Sequence, residues 1–330
     1  MSGQPRLASS PRSVGQSPPR SGGVPSPGRP GGCSRRAVDW PNDLRVGFHL
    51  SIADGPVELF RRFSERGCSA LQLFLGSPRT WEAPAWRPER LTAFREERCR
   101  HGSPPVVAHT RYLLNLASAT DLVRTRSIAT LRLEYQAAAQ VGADFLVLHM
   151  GSHADHDHGL EQMVSGLRES LEGVAGPHPL LLLENTAGEA NDLGACPADI
   201  AAVRHALPFP TGVCWDTCHA FAAGFDLASS EGRDRLIGEL ARAFGAAGVA
   251  VVHLNDSLFP CGSHRDRHAH LDGGHMGAAN LAAFLLSPLL RGVPVILETP
   301  QAGADDPADD RANLSRLRRA FARWGRKPGR

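Results

Sequence analysis

Short runs of Val, Leu and Ile alternate along the chain with longer stretches whose apolar residues recur at helical spacing. Short apolar runs are typical of strands buried on both faces of a parallel sheet, whereas the longer periodic stretches indicate amphipathic helices. The pattern predicts strands at residues 45–50, 70–75, 105–109, 144–149, 180–184, 211–215, 249–254 and 294–298.

A helical stretch follows each predicted strand. The clearest is 119–141, which has apolar side chains at helical spacing and an Ala-rich end. The others lie near residues 56–66, 88–101, 160–174, 197–206, 230–247, 277–288 and 308–324. Strands that alternate with helices in this way predict a single (β/α)8 TIM barrel, which typically takes about 250 residues. The alternative is an open doubly wound sheet, which is disfavoured because no glycine-rich phosphate loop follows the first strand.

The N-terminal segment differs in composition from the rest of the 330 residues. It is rich in Pro, Gly, Ser and Arg, has no acidic residue before Asp39, and cannot bury a core. We therefore predict a disordered extension at residues 1–40 and a barrel domain at residues 41–330. We interpret the extension as a plain tail, and the alternatives are a nonspecific DNA-tethering arm and a transit peptide.

The overall composition limits the possible classes of protein. Hydrophobic residues make up 42% of the chain, yet no apolar stretch approaches the roughly 20 residues that a membrane crossing needs. We see no signal peptide, and seven scattered cysteines do not form the pattern of a disulfide framework. We therefore expect a cytoplasmic protein with no membrane partner. The net charge of +2 says little about other partners.

Five of the predicted strands end on a side chain that can bind a metal ion, and a sixth run carries two more. In an α/β barrel the C-terminal ends of all strands face one mouth, so such side chains converge there. A polar loop, SHRDRHAHLDGGHMG, adds two further candidates. The nine candidate ligands are His109, His149, Glu184, Asp216, His219, His253, Asp266, His268 and Glu298.

Nine ligands are too many for one metal ion and suit two or three. A catalytic zinc takes three protein ligands, commonly His and carboxylate, and keeps one position open. Clustered metal ions suit phosphoryl chemistry, because they activate water and neutralise the charge of the phosphate. For each residue the alternative is a hydrogen-bonded side chain at the barrel rim. We interpret His156 and His158 as solvated residues of an exposed loop.

Several segments of the chain resemble the endonuclease IV family of apurinic/apyrimidinic (AP) endonucleases. These segments are GFHLSIADG, HTRYLLNLAS, VLHMGSH, LENTAG, WDTCHAFAAGFD, HLNDS and DRHAHLDGGHMG, in the family's order. The resemblance implies a TIM barrel with three zinc ions (Zn²⁺) at its mouth. It also implies an enzyme that cleaves the DNA phosphodiester 5′ to an abasic site, leaves a 3′-hydroxyl and a 5′-deoxyribose phosphate, and trims blocked 3′ ends.

The resemblance also implies roles for single residues. The candidate ligands would form three sets, one for each zinc ion: His109, His149 and Glu184; Glu184, Asp216, His253 and Glu298; and His219, Asp266 and His268. Glu184 would thus bridge the first two ions. Glu184 and Glu298 are both candidates for accepting the proton of the attacking water, and the sequence does not decide between them.

Arg79 and Tyr112 match side chains that the family inserts into DNA beside the abasic nucleotide. The expected partner is double-stranded DNA with abasic sites or blocked 3′ ends, bound by a monomer at the bacterial nucleoid. Two departures from the family pattern concern this region. Gly76 and Ser77 stand where a Lys-Asn pair is usual, and Thr-Arg replaces the residues that usually follow His109.

Two other classes of protein stay open on the residues alone. A sugar isomerase or epimerase on the same barrel would use one or two divalent ions, but it would have no use for His219, Asp266 and His268. A non-enzymatic protein that binds damaged DNA would use the zinc cluster as a structural element.

Overall fold

The computed structural model describes residues 40–174, 176 and 179–324 of the chain. Apart from Trp40, the predicted extension at residues 1–40 lies outside the described residues. The Trp40 side chain is buried, and its ring packs against Phe321 with 6.2 Å between the centroids. Trp40 therefore packs against the C-terminal part of the described chain.

The barrel strands are β1 Arg45–His49, β2 Ala70–Phe74, β3 Val106–His109, β4 Phe145–His149, β5 Leu180–Glu184, β6 Thr211–Asp216, β7 Val249–His253 and β10 Pro294–Leu297. They are parallel and form a closed barrel in chain order, in which β10 returns to pair with β1. The predicted (β/α)8 barrel is thereby confirmed. A separate antiparallel pair, β8 Asp256–Ser257 with β9 His268–Ala269, is not predicted by the sequence pattern.

The helices of the described residues are α1 Pro56–Arg66, α2 Pro88–Arg100, α3 Asp121–Val141, α4 His156–Leu171, α5 Pro197–Ala206, α6 Thr217–Ala222, α7 Ser230–Phe244, α8 Ala278–Leu285 and α9 Ala308–Trp324. Among the α-helices of the described residues, the six-residue α6 is the one addition to the predicted set. α4 begins before residue 160, because the Asp155 side chain accepts a hydrogen bond from the His158 N–H and caps the helix. His156 and His158 thus lie in a first helical turn rather than a loop, and both are exposed as expected.

Side chains of the strands alternate between the barrel interior and the surrounding helices. The interior is filled by one residue from each of seven strands: Ala70, Val107, Val147, Leu182, Cys214, Val251 and Ile296. The eighth strand contributes Gly47, where a Cβ would lie 1.7 Å from the Ala70 carbonyl oxygen, so only glycine fits. Outward-facing residues pack against the helices in the main core.

The main core lies between the barrel and its helices and supports the loops at both ends. Phe60 of α1 and Leu240 of α7 are fully buried in it, as are Phe48 and Trp215 of the strands. This rigid frame fixes the C-terminal ends of the strands, from which side chains project into the mouth. No helix in the described part of the chain combines the length and the apolar character that a membrane crossing would need.

Candidate metal centre

The candidate ligands on the strands continue the inward-facing row of the barrel interior. Because side chains alternate along a strand, the residue two positions after an inward one also points inward. Each strand-borne ligand lies two residues after a member of the interior cluster: His109, His149, Glu184, Asp216, His253 and Glu298. The alternation that fills the barrel with apolar side chains therefore also brings six polar side chains to its C-terminal mouth.

His109, His149 and Glu184 come together at the ends of β3, β4 and β5. The Nε2 atoms of His109 and His149 lie 3.2 and 3.3 Å from Glu184 Oε2. Glu184 is fully buried. Two imidazole nitrogens and one carboxylate oxygen are a donor set that suits a zinc ion with one open position.

The other oxygen of Glu184 belongs to a second group. His253 Nδ1 lies 2.6 Å from Glu184 Oε1 and 3.2 Å from Glu298 Oε2. Asp216 Oδ2 lies 4.0 Å from the same nitrogen. Because Glu184 turns one oxygen to each group, its carboxylate is placed to bridge two cations.

The third group lies farther out and is carried by α6 and the loop that leads into β9. The Asp216 side chain accepts a hydrogen bond from the His219 N–H at 2.8 Å, which caps α6 and brings His219 into the mouth. His219 Nε2 and His268 Nε2 each lie 3.2 Å from an oxygen of Asp266. His268 Nε2 is also 3.6 Å from Asp216 Oδ2, so Asp216 connects the second group to the third.

All nine candidate ligands thus meet in three adjacent groups, within each of which the donor atoms lie no more than 4.8 Å apart. Buried polar atoms normally make well-aligned hydrogen bonds, yet the buried Nε2 atom of His268 makes none among the described residues and has only ion-pair contacts with Asp266 and Asp216, at 3.2 and 3.6 Å. This nitrogen and the carboxylate oxygens around it fit a cation. The mixture of imidazole and carboxylate donors fits zinc in particular.

Hydrogen bonds orient the histidine rings toward these groups. In His109, His219 and His268 the Nδ1 atom faces a backbone carbonyl oxygen at 2.6, 2.8 and 3.3 Å, respectively. Donation from Nδ1 to a carbonyl leaves the Nε2 lone pair for a metal ion. His253 is reversed, because its Nε2 faces Gln72 Oε1 at 2.8 Å and its Nδ1 therefore points to the carboxylates.

Gln72 is the main residue of the centre that escapes prediction from the sequence. Its Nε2 atom donates to Glu298 Oε1 at 2.6 Å and faces His49 Nδ1 at 3.0 Å, while its Oε1 atom faces His253. One amide therefore orients a histidine and a carboxylate of the second group. A weak signal is present, since Gln72 is the one polar residue in the apolar strand ALQLF.

Two asparagines hold Asp216 in place. Asn185 Nδ2 donates to the Asp216 carbonyl oxygen at 3.0 Å, and the Asp216 N–H donates to Asn185 Oδ1 at 2.7 Å. Asn255 Nδ2 donates to Asp216 Oδ2 at 2.7 Å, while Asn255 Oδ1 accepts the Glu298 N–H at 2.8 Å. Both asparagines lie next to candidate ligands in the segments LENTAG and HLNDS, but their partners are distant in sequence.

The charges of the three groups compensate one another. Burial alone would raise the pKa of Glu184, but the surrounding histidines hold that pKa well below its usual value. Burial alone would lower the pKa of His268, but Asp216 and Asp266 raise it to about 9. The same carboxylates raise the pKa of His219 well above its usual value, against its burial. In the absence of a cation the outer histidines therefore carry protons, with which a metal ion has to compete.

Cys214 and Cys218 also lie near the second and third groups, but they are poor ligands. Cys214 belongs to the apolar barrel interior, and burial raises the pKa of its thiol to about 12. Burial also raises the pKa of Cys218. Because a metal binds the thiolate, thiols with raised pKa values compete poorly with imidazole and carboxylate. We interpret both cysteines as packing residues.

A cavity of about 420 Å³ opens beside the outer group. Tyr112 lines it together with His219 and Asp266, and Tyr112 is 63% exposed. Arg79 is exposed in the loop of residues 75–87, which we call the β2–α2 loop, and it does not line this cavity. Both residues predicted to bind DNA therefore lie on loops at the C-terminal ends of strands.

Comparison with known proteins assigns the chain to a broad class of barrels. Residues 60–320 match the family model of the xylose isomerase-like TIM barrel. The likeness extends to sugar enzymes such as a D-tagatose 3-epimerase-like protein, with a TM-score of 0.66 and coverage of 86% of this chain and 100% of that one. At 19% sequence identity, this likeness concerns the fold alone.

More similar proteins define the family within that class. Probable endonuclease 4 of Solibacter usitatus (strain Ellin6076) is 39% identical over 282 residues, which cover 83% of this chain and 96% of that protein. Probable endonuclease 4 of Chloroflexus aurantiacus (strain ATCC 29366 / DSM 635 / J-10-fl) is 38% identical over 278 residues, covering 83% and 97%. Endonuclease IV from Thermus thermophilus has a crystal structure with a TM-score of 0.76, 36% identity, and coverage of 84% and 99%.

The chain belongs to the endonuclease IV family. The resemblance seen in the sequence is thereby confirmed, and the protein is an enzyme of the deoxyribonuclease IV type, a hydrolase of ester bonds.

Proposed function

We propose that this enzyme is a zinc-dependent AP endonuclease of base-excision repair. It hydrolyses the phosphodiester 5′ to an abasic site in double-stranded DNA, leaves a 3′-hydroxyl and a 5′-deoxyribose phosphate, and trims blocked 3′ ends. The observation that carries the proposal is the convergence of nine His, Asp and Glu side chains into three adjacent groups at the barrel mouth. Membership of the endonuclease IV family supports DNA as the substrate.

Three zinc ions suit the three groups. Each ion would be held by one set of side chains: His109, His149 and Glu184; Glu184, Asp216, His253 and Glu298; and His219, Asp266 and His268. When bound, zinc supplies Lewis-acid activation of water and neutralises negative charge on the phosphodiester. The side chains of the protein fix where the positive charge of the zinc ions would lie.

We assign the acceptance of the water proton to Glu298 rather than Glu184. Both oxygens of Glu184 face histidine nitrogens within 3.3 Å, and its side chain is 1% exposed. Glu298 also contacts His253, through Oε2 at 3.2 Å, and Gln72, through Oε1, but its side chain is 16% exposed. A proton acceptor has to reach the water from which it takes the proton, which favours the more accessible carboxylate.

Recognition of the abasic nucleotide would rest on shape. A nucleotide without a base costs less to turn out of the duplex than a paired nucleotide does. The cavity of about 420 Å³ beside His219 and Asp266 has room for the turned-out sugar and its phosphate. Tyr112 and Arg79 would fill the gap left in the duplex, as wedge side chains do in proteins that bend DNA.

Charge supports a role for the metal ions in attracting DNA. Residues 41–330 contain 30 Lys and Arg against 33 Asp and Glu, so the barrel has no excess of basic side chains. The bound cations would supply the positive charge that draws a phosphate into the mouth. Under this proposal the enzyme acts as a monomer on the nucleoid DNA of the bacterial cytoplasm.

The test is cleavage of a labelled duplex that contains one abasic site, with an undamaged duplex of the same sequence as the control. We expect a single nick 5′ to the abasic site, its loss after chelation, and its recovery when zinc is added. A zinc content near three ions per chain separates this enzyme from a sugar isomerase or epimerase with one or two. Intact abasic DNA after incubation with the zinc-loaded protein would contradict the proposal, and tight binding without turnover would favour a damage-binding protein.

A further inference from the structure

Arg111 joins the two segments that carry the proposed DNA contacts. It directly precedes Tyr112, and its own side chain is only 1% exposed. Its Nη1 atom donates to the carbonyl oxygen of Thr80 and, at 2.8 Å, to that of Glu82. Both carbonyls belong to the β2–α2 loop, in which Arg79 is exposed. One buried guanidinium therefore connects the chain beside Arg79 to the chain beside Tyr112.

The guanidinium is anchored on its other side by α3. Arg111 Nε donates to Glu134 Oε1 at 2.7 Å, and the Arg111 main-chain N–H donates to Glu134 Oε2 at 3.4 Å. The Glu134 side chain is 3% exposed. Because the guanidinium is planar and its donors are fixed relative to one another, such a set of contacts defines its position closely.

The β2–α2 loop has few other directional restraints. Among the described residues, 76–86 make no backbone-to-backbone hydrogen bond. Trp81 and Trp86 pack against the main core, and Trp86 Nε1 donates to the Leu75 carbonyl oxygen at 2.9 Å. Apolar packing holds a loop down but sets its orientation only loosely, so the hydrogen bonds from Arg111 are the contacts that fix its direction.

The two departures from the family pattern are Gly76 with Ser77 and the Thr-Arg pair that follows His109. They meet at the contact between the β2–α2 loop and Arg111. A Cβ on Gly76 would lie 3.6 Å from Arg111 Nη2. This Nη2 atom is buried and has no hydrogen-bond partner among the described residues. The separation of 3.6 Å is ordinary van der Waals distance, so the backbone of residue 76 runs directly beside the Arg111 guanidinium.

We propose that Arg111 is a positioning residue for DNA recognition, which fixes the β2–α2 loop relative to the Tyr112 turn and thereby sets the separation of Arg79 and Tyr112. The inference rests on the proposed function, because the DNA contacts of these two side chains are part of it. Arg111 is buried, so it acts on the substrate through the two segments that it joins.

The test compares R111K with a matched control, R98K. Arg98 makes the same kind of contacts at the opposite end of the barrel, where it pairs with Asp144 at 2.6 Å and donates to the carbonyl oxygens of Pro104 and Gly142. In both variants lysine keeps the charge but cannot reproduce the fork of donors. The two variants therefore lose similar contacts at the two ends of the same fold.

With an abasic duplex we expect R111K to raise KM about tenfold with a much smaller change in kcat, and R98K to leave both constants unchanged. R79A should raise KM in the wild-type background but add little in R111K, because both changes act on one contact. An unchanged KM in R111K, or additive effects of R79A and R111K, would overturn the inference while the wild type still cleaves. Absence of cleavage by the wild type would overturn the proposed function instead.

Glu134→Gln tests the same contact without altering the arginine. The amide keeps the shape of the carboxylate but removes the charge that anchors the guanidinium. We expect KM to rise in the same direction as in R111K, with a melting temperature measured alongside to check the fold. Should R111K fail to fold, a raised KM in E134Q supports the inference, and an unchanged KM overturns it.

Discussion

Different kinds of secondary structure carry the inner and outer parts of the metal centre. The inner part is the first and second groups, which share Glu184, and the outer part is the third group, formed by His219, Asp266 and His268. The inner groups are carried by strand ends of the closed barrel, and the side chains of Glu184 and His253 are at most 1% exposed. The outer group is carried by a short helix, a loop and a two-residue strand. Its carboxylate, Asp266, is 43% exposed, and the Asp266 N–H is held by Glu189 Oε1 at 2.8 Å.

This difference indicates which part of the centre is fixed and which can adjust. A strand end in a closed barrel has ladder hydrogen bonds on both sides, so its side chain keeps its place with or without a cation. The outer ligands depend on one helix cap at Asp216 and on the β8–β9 pair. We therefore expect the inner ions to bind more tightly and the outer ion to exchange first.

Glu184→Gln should break both inner groups and have the largest effect. The amide offers a weaker oxygen donor and no charge, so neither inner ion keeps its shared ligand. We expect nicking of an abasic duplex to fall by about three orders of magnitude or more, and bound zinc to fall to one ion or none. The control is Glu97→Gln, a buried carboxylate of α2 that contacts Arg100 and should leave zinc and activity intact. Undiminished nicking by zinc-loaded E184Q would refute the role of Glu184.

Asp266→Asn addresses the outer group alone and should have an intermediate effect. The zinc content should fall by one ion while the inner ions stay, and kcat on an abasic duplex should fall about 100-fold. Asp144→Asn is the matched control, because Asp144 is also partly exposed, at 36%, and ion-paired. Loss of all zinc from D266N would break the comparison, since it would mean that the inner groups depend on the outer one.

The sequence predicts the inner part of the centre better than the outer part, for a physical reason. Strand-borne ligands end an apolar run, and the two-residue period of a strand carries them inward. The elements that carry the outer group, α6, β8 and β9, leave weaker signals in the sequence. α6 starts where Asp216 caps it, and nothing local distinguishes a capping aspartate from a metal ligand. β8 and β9 have two residues each, too few for a period to be visible.

Residues that orient the ligands escape prediction because their contacts span long separations. Gln72 donates to Glu298, 226 positions away, and Arg111 reaches Glu134 on a different element. Such pairs follow from the closure of the barrel, which brings β2 beside β1 and close to β10. A polar residue within an apolar strand, such as Gln72, is the kind of local signal that could have found one of them.

Lowering the pH should weaken zinc binding at the outer group more than at the first inner group, and we expect this to be the smallest of the three effects. In the metal-free protein, neighbouring carboxylates outweigh burial and raise the pKa of His268 to about 9 and that of His219 well above its usual value. In the first inner group Glu184 raises the pKa of His109 against burial, whereas burial lowers the pKa of His149. A protonated nitrogen cannot bind a cation, so the outer affinity for zinc should rise with pH up to about 9 and more steeply than the affinity of the first group.

The measurement is zinc per chain after equilibration with a zinc buffer at about pH 9, 7.5 and 6. Each proton displaced should change the outer affinity about tenfold per pH unit, so the outer ion should leave before the ion of the first group as the pH falls. The pKa of His253 in the second group is also raised well above its usual value, so that group is not part of this comparison. The stability of the metal-free protein should change in the opposite direction. The ion pairs of His268 stabilise it fully below about pH 6.5, and this contribution is lost as the pH rises through about 9. Release of the ion of the first group before the outer one would contradict the proposed order, because it would show that the ligands His109, His149 and Glu184 hold zinc less firmly than the loop-borne ones.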